Sequence, residues 1–269
     1  MNENNFSQTN IALSIMETGW PAANEQQDIL QLVSLCRQHD GISLSCPLDP
    51  GVPGHHFLLY GNGQLLSTLS VLPFDEETAE CIAFTHPQHR HQGYFSKLLS
   101  CAMESCEFLE KCYILFPVSG TCPDTLATLN ALEATLENEE LQMALNLNNV
   151  VSETSDISPD FSLHYEKCAD SGAAVWELTI AIHNQIFSLG SCQTLKLSGD
   201  CVCLHHVEIY PEFRGRGYGT ILLRKLIRML YTKGISRIIL QVAADNTAAV
   251  SLYQKQGFLI TETLSYYLY

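Results

Sequence analysis

Apolar residues in this chain follow two spacings, one of two positions and one of three to four, in a succession of short segments. The first spacing predicts strands and the second predicts helices with one buried face. Helices are predicted over residues 24–39, 96–109, 220–231 and 246–256. Strands are predicted over residues 57–60, 65–72, 79–85, 176–182, 191–197, 201–209, 237–243 and 258–269. This order of elements, with a Gly-Asn-Gly hairpin turn at 61–63, indicates an α/β fold of the mixed (α+β) kind.

The chain contains an internal repeat. Residues 83–95 (AFTHPQHRHQGYF) align with residues 207–219 (VEIYPEFRGRGYG), and proline, arginine, glycine and tyrosine coincide. Each block follows a predicted strand and precedes a predicted helix, so we expect two related modules in tandem. Residues 148–160 are polar and lack any period, which is typical of a linker. We therefore predict domains at 1–150 and 161–269 with a linker at 151–160. Whether the strand-like segment 161–168 closes the first sheet or opens the second is left open.

The composition is that of a globular protein, with 46% hydrophobic and 16% charged residues. No apolar run is long enough to span a bilayer, and the N-terminus lacks the features of a secretory signal, so we expect a cytoplasmic protein without a membrane partner. The eleven cysteines are scattered and are interpreted as reduced thiols. A net charge of -15 argues against nucleic acid as a partner. That charge mildly favours a cationic substrate, with solubility as the alternative explanation.

The strongest motif is RGRGYGT at residues 214–220, between the end of a predicted strand and the start of a predicted helix. Glycines let the backbone turn tightly, so that several N–H groups and the positive end of the helix dipole can face one pyrophosphate. A dinucleotide-binding fingerprint would need a third glycine in place of Thr220, and a P-loop would need Gly-Lys-Ser/Thr. The alternative is a plain structural turn.

Residues 207–219, followed by 246–253 (NTAAVSLY) and Gly257-Phe258, resemble the GCN5-related N-acetyltransferase (GNAT) family over the C-terminal quarter of the chain. The resemblance implies two tandem acyl-CoA N-acyltransferase folds, each a mixed central sheet flanked by helices, with acetyl-CoA as co-substrate. In this fold two central parallel strands splay apart and admit the pantetheine arm. The resemblance implies main-chain contacts to that arm from Ile209 and Tyr210. It implies a pyrophosphate site at Arg214, Gly215, Arg216, Gly217, Tyr218, Gly219 and Thr220. Asn246 would contact the cofactor, cap its helix, or do both.

Direct transfer to an amine needs a base, because an ammonium group is not nucleophilic. Regular alternation along the strand 201–209 places four side chains on one face: Cys203, His205, Val207 and Ile209. By resemblance to family members with a histidine on this strand, His205 is the candidate base, and its ordinary pKa of about 6.5 suits the task. The alternative is a histidine with a purely structural hydrogen bond. Glu208 falls on the opposite face, which counts against it as a base unless a bulge re-aims the strand.

A phenol near the leaving thiolate can donate a proton, and by resemblance Tyr253 occupies the family's general-acid position; the alternative is helix packing. No metal site is predicted, because Cys201, Cys203 and His205 spread over about 13 Å of an extended strand. The histidines at 86, 89 and 91 are better explained by a partly exposed anion-binding turn beside Arg90.

The first module departs from the motif. Phe95 replaces the last glycine and Gln92 replaces Arg216, while Ala79 and Cys81 stand where the second module has Cys203 and His205. No tyrosine occurs in residues 125–136 to match Tyr253. We expect this module to have weak or no catalysis, to build part of the acceptor pocket, and to keep Arg90 and Gly93 for coenzyme A binding.

The function predicted from the sequence is acetyl transfer from acetyl-CoA to an amine of a small molecule or peptide. The alternatives are transfer to a hydroxyl or thiol, and a non-catalytic protein that binds acyl-CoA for regulation.

Overall fold

The structure is a computed structural model that describes residues 12–48, 51, 53–106, 109, 113–120, 122–149, 160–167, 173–183, 185–197 and 199–269. The chain forms two compact units. Unit 1 extends to Asn138 and includes Leu264–Tyr269, and unit 2 consists of Glu139–Thr263. Of the predicted linker at 151–160, only Asp160 lies within the described residues.

Unit 1 is a mixed sheet with helices on both faces. Its elements are β1 (Leu13–Thr18), α1 (Ala23–Asp40), β2 (His55–Gly61), β3 (Gln64–Pro73), β4 (Thr78–Thr85), α2 (Tyr94–Ser105), β5 (Tyr113–Ser119) and α3 (Pro123–Ala131). Alternate residues of β2 point to opposite faces, so Phe57 packs with the α2 core and Leu58 with the α1 core. Helix α1 ends at Gly41, whose left-handed φ of 67° is a conformation that glycine adopts readily.

Unit 2 repeats this order without a counterpart of α1. Its elements are β6 (Thr135–Asn146), β7 (Phe161–Lys167), β8 (Ala174–Ile182), β9 (Gln185–Lys196), β10 (Cys201–Ile209), α4 (Tyr218–Thr232), β11 (Arg237–Ala243), α5 (Thr247–Lys255) and β12 (Leu259–Leu268). Strand β7 pairs antiparallel with β8, so the segment at 161–168 opens the second sheet. Helices α4 and α5 both contribute to one core cluster, and within the described residues no helix covers the other face.

A single shift of the numbering relates the two repeats. The shift that carries Pro87 to Pro211 also carries β5 to β11 and α3 to α5, at both ends of each element. The predicted tandem repeat and the mixed α/β fold class are therefore confirmed.

Most of β6, the last strand of the first repeat, lies in unit 2, and the end of β12, the last strand of the second repeat, lies in unit 1. Strand β6 follows α3 in the first repeat, but it pairs along β11 from Asn146↔Arg237 to Glu140↔Ala243. The end of β12 pairs with β5 from Leu264↔Ser119 to Leu268↔Leu115. Strand order is thus β1-β2-β3-β4-β5-β12 in unit 1 and β12-β6-β11-β10-β9-β8-β7 in unit 2. The compact units consequently do not follow the predicted division at 151–160, because the ladder of β6 belongs with β11.

Two further properties bear on the setting of the protein. No helix in the described part of the chain combines the length and apolar character that crossing a membrane requires. The described cysteines are free thiols and most are buried, which agrees with their interpretation as small apolar side chains.

Candidate active site

Strands β10 and β11 separate partway along their length. They pair in parallel through Cys201↔Arg237, Val202↔Ile238 and Cys203↔Ile239 only. Beyond this point β10 stays paired to β9 as far as Ile209, and β11 stays paired to β6 as far as Ala243. Each strand is thus held from its outer side while a gap opens between the two. We call this gap the split.

A β-bulge lies on the β10 side of the split. His205 pairs with Gln193 and Glu208 pairs with Ser191, so β10 uses one more residue than β9 over this stretch. The extra residue is His206, whose φ of 51° is left-handed. Because Gln193 and Ser191 share a face of β9, His205 and Glu208 share a face of β10.

The bulge corrects the predicted face of this strand. Val207 and Ile209 were expected to share a face with Cys203 and His205, but both pack against the core cluster on the α4 side. Regular alternation fails here because the extra residue reverses the direction of the side chains that follow it. The objection to Glu208, that it faces away from His205, therefore no longer applies.

Gly190 of β9 makes the bulge possible. A Cβ at this position would overlap the carbonyl oxygen of Glu208 and would lie 2.9 Å from the Cα of Ile209. Both of these are backbone atoms, so a side chain cannot be accommodated by a change of rotamer. A glycine inside a strand was the available sequence signal for this close approach, and it was missed.

His205 lies beside a second histidine. The Nδ1 atoms of His205 and His206 are 2.7 Å apart, a distance that requires one shared proton. Partial burial and the neighbouring His206 lower the pKa of His205, so the ring is neutral near pH 7 and can accept a proton. Sequence reasoning missed His206, although two consecutive histidines in a strand were visible.

The glycine-rich turn presents free amides at the start of α4. Gly215 and Gly217 have φ values of 73° and 81°, which turn the chain tightly. Among the described residues, no hydrogen-bond acceptor is found for the amides of residues 215–219. The amide of Arg214 donates to Pro211 O, and that of Thr220 donates to Gly217 O at 3.1 Å. Of the cradle predicted at residues 214–220, only residues 215–219 therefore have free backbone amides. We call these five amides the amide cradle.

Arg214 connects the turn to the end of β10. Its Nε donates to the carbonyl of Ile209 at 2.7 Å, and its Nη2 lies 3.3 Å from Oε1 of Glu208. The side chain of Arg214 is 60% exposed and remains accessible to an anion.

The backbone of Ile209 and that of Tyr210 point in different directions. Tyr210 N–H donates to Leu189 O at 3.0 Å, and Tyr210 O accepts from Phe213 N. In an antiparallel ladder, alternate residues point their backbone groups to opposite sides. The amide of Ile209 therefore faces the split, whereas the backbone of Tyr210 is engaged within the protein.

Tyr253 lies on the core side of unit 2. Its side chain is 7% exposed, and its ring packs 5.6 Å from that of Phe258. Burial, with a smaller contribution from Cys192, raises the pKa of Tyr253 to about 12, so the phenol holds its proton at neutral pH. No hydrogen-bond partner for its hydroxyl is found among the described residues.

Two further residues bear on the position of α5, the helix that carries Tyr253. Asn246 caps α5 by accepting a hydrogen bond from Ala249 N at 3.2 Å, so the capping role considered for it is present. A Cβ on Gly219 would lie 3.0 Å from Leu252 Cδ2, so this glycine also permits α4 to approach α5.

Unit 1 contains an equivalent gap between two parallel strands, but the arginine beside it, Arg90, already forms ion pairs. Strands β4 and β5 pair only from Thr78↔Tyr113 to Glu80↔Leu115, and a cavity of about 260 Å³ is lined by residues that follow the pairing on both strands. Arg90 lies in the cavity wall, bound to Asp40 at 2.6 Å and to Asp124 at 3.1 Å, with its side chain only 13% exposed. Burial opposes ionisation of Asp40, but hydrogen bonds from Arg90 and His39 hold its pKa below the ordinary value. Leu129 stands in the place of Tyr253.

The histidine-rich turn of unit 1 has a similar backbone. His91 and Gly93 have φ values of 60° and 73°, matching Gly215 and Gly217 in the second repeat. His91 contacts Asp124 at 3.1 Å, and His86 packs against His89. Within the described ranges no group of three or more His, Cys, Asp or Glu residues is placed to hold a metal ion.

A split parallel strand pair that ends beside an amide cradle, on a mixed sheet built twice, is the arrangement expected of the GNAT fold. The model of the acetyltransferase (GNAT) family matches residues 143–258, which contain the split, the cradle and α5, so this part of the chain forms a GNAT-family domain. The resemblance found in the sequence is confirmed.

Solved structures share this fold. A GCN5-related N-acetyltransferase from Sphaerobacter thermophilus aligns with a TM-score of 0.70 and 13% identity, over 95% of both chains. A tandem GNAT protein from the clavulanic acid biosynthesis pathway aligns with a TM-score of 0.64 and 14% identity, over 96% of this chain and 98% of the other. At such identities the likeness concerns the fold alone.

Curated relatives match between about a quarter and a third of this chain. The [ribosomal protein bS18]-alanine N-acetyltransferase of Haemophilus influenzae is 36% identical over 89 residues, which are 33% of this chain and 58% of the relative. The mycothiol acetyltransferase of Renibacterium salmoninarum is 48% identical over 63 residues, 23% of this chain and 19% of the relative. The chain thus spans less than two thirds of the length of these relatives.

Proposed function

We propose that this protein transfers an acetyl group from acetyl-CoA to an amine of a small molecule or peptide, and that unit 2 carries the reaction. The observation on which this depends is the split between β10 and β11, with the free amides of residues 215–219 at the end of β10. A gap in a sheet beside unpaired amides at a helix N-terminus suits an extended thioester with a diphosphate at one end.

The co-substrate has several partners available on this chain. The amide cradle would hold the pyrophosphate, with Arg214 and the exposed Arg216 supplying positive charge. The amide of Ile209, which faces the split, is placed to donate to the pantetheine arm or the acetyl carbonyl. Asn246 is the remaining predicted contact. The main chain of Tyr210 is assigned no contact, because its own hydrogen bonds occupy it.

The acceptor is proposed to approach the uncovered face of unit 2, where His205 and Glu208 lie. A base on this face removes a proton from the ammonium group, and the amine nitrogen then attacks the thioester carbonyl. His205 is the better base, because its lowered pKa keeps it neutral and able to accept a proton. Glu208 is tied to Arg214, and its carboxylate is suited to attracting a cationic acceptor.

Tyr253 is proposed to donate its proton to the departing sulfur from the core side. Of the two protons that the ammonium group loses, one leaves through the base to solvent. The other ends on the thiol, with Tyr253 giving a proton to sulfur and taking one back from the nitrogen. The high pKa of Tyr253 suits this role because the phenol is protonated before each turnover.

The named relatives guide the choice of acceptor. One relative is named for the alanine of a ribosomal protein and another for mycothiol, so peptide amines and small-molecule amines both belong in the first screen. The net charge of -15 agrees with a cationic acceptor in the cytoplasm. Transfer to a hydroxyl or thiol is the second candidate, since the split and the cradle recognise only the acyl donor.

Two measurements separate the proposal from a non-catalytic acyl-CoA sensor. Acetyl-CoA should raise the melting temperature in a thermal-shift titration, because a ligand that binds only the folded state stabilises it. Thiol release should then follow with at least one member of a panel of alanine-terminated peptides, small amines, alcohols and thiols. Binding without release from any acceptor would indicate a sensor. No stabilisation by acetyl-CoA or coenzyme A would contradict both functions.

A further inference from the structure

His206 occupies a backbone position that histidine seldom takes. It is the extra residue of the β10 bulge, in the left-handed region with φ 51°, where bulges of this kind generally carry glycine. A side chain kept in a conformation that disfavours it points to a function for that side chain.

The side chain of His206 contacts one polar group in particular. Its Nδ1 lies 2.7 Å from Nδ1 of His205, with the two rings nearly perpendicular, and the ring of His206 is exposed. His205 is only partly exposed and lies two residues beyond Cys203, the last residue of β10 that pairs with β11. The pair therefore leads from the edge of the split to solvent.

We propose that His206 is a proton-relay residue that fixes the tautomer of His205 and carries its proton to water. Resting on the proposed function, this inference adds a second histidine to the base. His205 donates its Nδ1 proton to Nδ1 of His206, which leaves Nε2 of His205 with the lone pair that a base needs.

The relay balances its protons. When the ammonium group of the acceptor gives a proton to Nε2 of His205, the ring becomes an imidazolium. Its Nδ1 proton then moves to Nδ1 of His206, and the Nε2 proton of His206 leaves to bulk water. The pair is reset in three transfers. The Nδ1 proton returns from His206 to His205, the Nε2 proton of His205 leaves to water, and Nε2 of His206 takes up a proton from water.

Two carboxylates share the sheet face of the pair: Glu208 of β10, and Glu177 of β8, which pairs with Ser191 and accepts a hydrogen bond from Ser188 Oγ. The partner of His205 on β9 is Gln193, and Ser191 follows it, so that strand presents neutral side chains. On β10 the same face carries the thiol of Cys203 and the carboxylate of Glu208, and Glu208 is matched by Arg214 from the turn. On its other edge β10 has parted from β11.

The first test measures the tautomers without any acceptor. In ¹⁵N-histidine-labelled full-length protein, with signals assigned from His205→Ala and His206→Gly, we expect His205 protonated at Nδ1 and His206 at Nε2. The variant His206→Gly keeps the left-handed backbone and removes the ring. In it, His205 should lose its fixed tautomer. A proton on Nε2 of His205 in the wild type would overturn the relay.

The second test uses the pH dependence of kcat with an acceptor found by thiol release. His206→Gly should lower kcat about tenfold, a fraction of what a general base contributes. It should also move the acid limb of the pH profile of kcat to higher pH. The ring of His206 lowers the pKa of His205, so removing this ring raises that pKa. Added imidazole should restore part of the rate. An unchanged kcat, or a loss with no shift of the limb and no rescue, would overturn the proposal.

His183→Gly is the matched control. His183 is also an exposed histidine with positive φ, 48°, in the turn after β8. The His183→Gly substitution should leave unchanged both kcat and the acid limb of its pH profile. The two tests distinguish failure of the relay from failure of the acetyltransferase function. If the tautomers are as expected but no acceptor is turned over, the acetyltransferase function is refuted and the histidine pairing stands. A kcat that is the same in the wild type and in His206→Gly would refute the relay and leave the acetyltransferase function standing.

Discussion

Replacing Gly190 by alanine should disturb both the stability of unit 2 and the geometry of its base. The new Cβ would overlap the carbonyl oxygen of Glu208 and would lie 2.7 Å from Ile209 Cδ1 and 2.9 Å from Ile209 Cα. Ordinary carbon contacts are about 3.5–4.0 Å, so β9 and β10 would have to move apart by close to 1 Å.

The size of the effect follows from the contacts affected. Overpacking of this kind costs about 1–3 kcal/mol. The separation also stretches the hydrogen bond from Tyr210 N to Leu189 O, and a backbone hydrogen bond contributes about 1 kcal/mol. We therefore expect Gly190→Ala to lower the free energy of unfolding by about 2–4 kcal/mol. The register at the bulge changes with it, which should alter the contact between His205 and His206.

Tryptophan fluorescence can report on unit 2 alone. The chain has two tryptophans, and Trp176 is buried in unit 2 with its Nε1 donating to Thr194 Oγ1 at 2.8 Å. In a Trp20→Phe background, urea titration followed through Trp176 measures the unfolding of that unit. Gly19→Ala is the control, because only a backbone oxygen at 4.0 Å approaches its Cβ. A Gly190→Ala protein within about 0.5 kcal/mol of its parent, with the histidine contact intact, would refute the account of the bulge.

The remaining predictions concern the cradle, the acid and the unit 1 ion pair. Gly217→Asp should weaken acetyl-CoA binding at least tenfold by calorimetry, since a carboxylate would face the pyrophosphate at a backbone φ of 81°. Gly93→Asp, at the equivalent position of unit 1, should have a smaller effect. Tyr253→Phe should lower kcat about 10²-fold with unchanged acetyl-CoA affinity, because it removes only the donated proton. Asp40→Asn should cost about 2 kcal/mol at pH 7, because Arg90 loses a charged partner.

Each of these has an outcome that contradicts it. Equal losses from Gly217→Asp and Gly93→Asp would place a coenzyme A site in both units. Full activity of Tyr253→Phe would reduce that residue to helix packing. For Asp40 the folded pKa lies below the unfolded value, so the pair stabilises above the unfolded pKa and that contribution is lost as pH falls through the folded pKa. The difference between wild type and Asp40→Asn in thermal melts should therefore narrow below about pH 4. A difference that is constant with pH would show that the effect is not one of charge.

The local chemistry of the sequence was sufficient for most elements of the fold. Helix α1 was predicted at 24–39 and is found at Ala23–Asp40, and strand β11 has its predicted bounds. The turn at 214–220 was predicted as an amide cradle from its glycines, and the structure gives Gly215 and Gly217 the left-handed conformation that this requires. These features depend on neighbours along the chain, which a sequence displays directly.

Strand β6 was missed although its pattern was present. Leu141, Met143 and Leu145 are buried and alternate with more exposed residues, but an acidic stretch precedes them and obscures the period. The partner of β6 is β11, about 100 residues further along the chain, and no pattern of nearby residues predicts this pairing. The exchange of final strands between the units was therefore beyond reach of the sequence.

What the sequence by itself determined is the resemblance to the GNAT family, the repeat, the position of the split strand pair and the candidate residues His205 and Tyr253. Only the tertiary structure decided how these side chains face. His205 and Glu208 share a face because Gly190, on a different strand, lets the backbone of β10 bulge toward it. Arg90 is neutralised because Asp40, from a distant helix, forms an ion pair with it in the folded chain. Both outcomes depend on contacts between residues far apart in the chain, and such contacts form only when the sheet and its helices have packed.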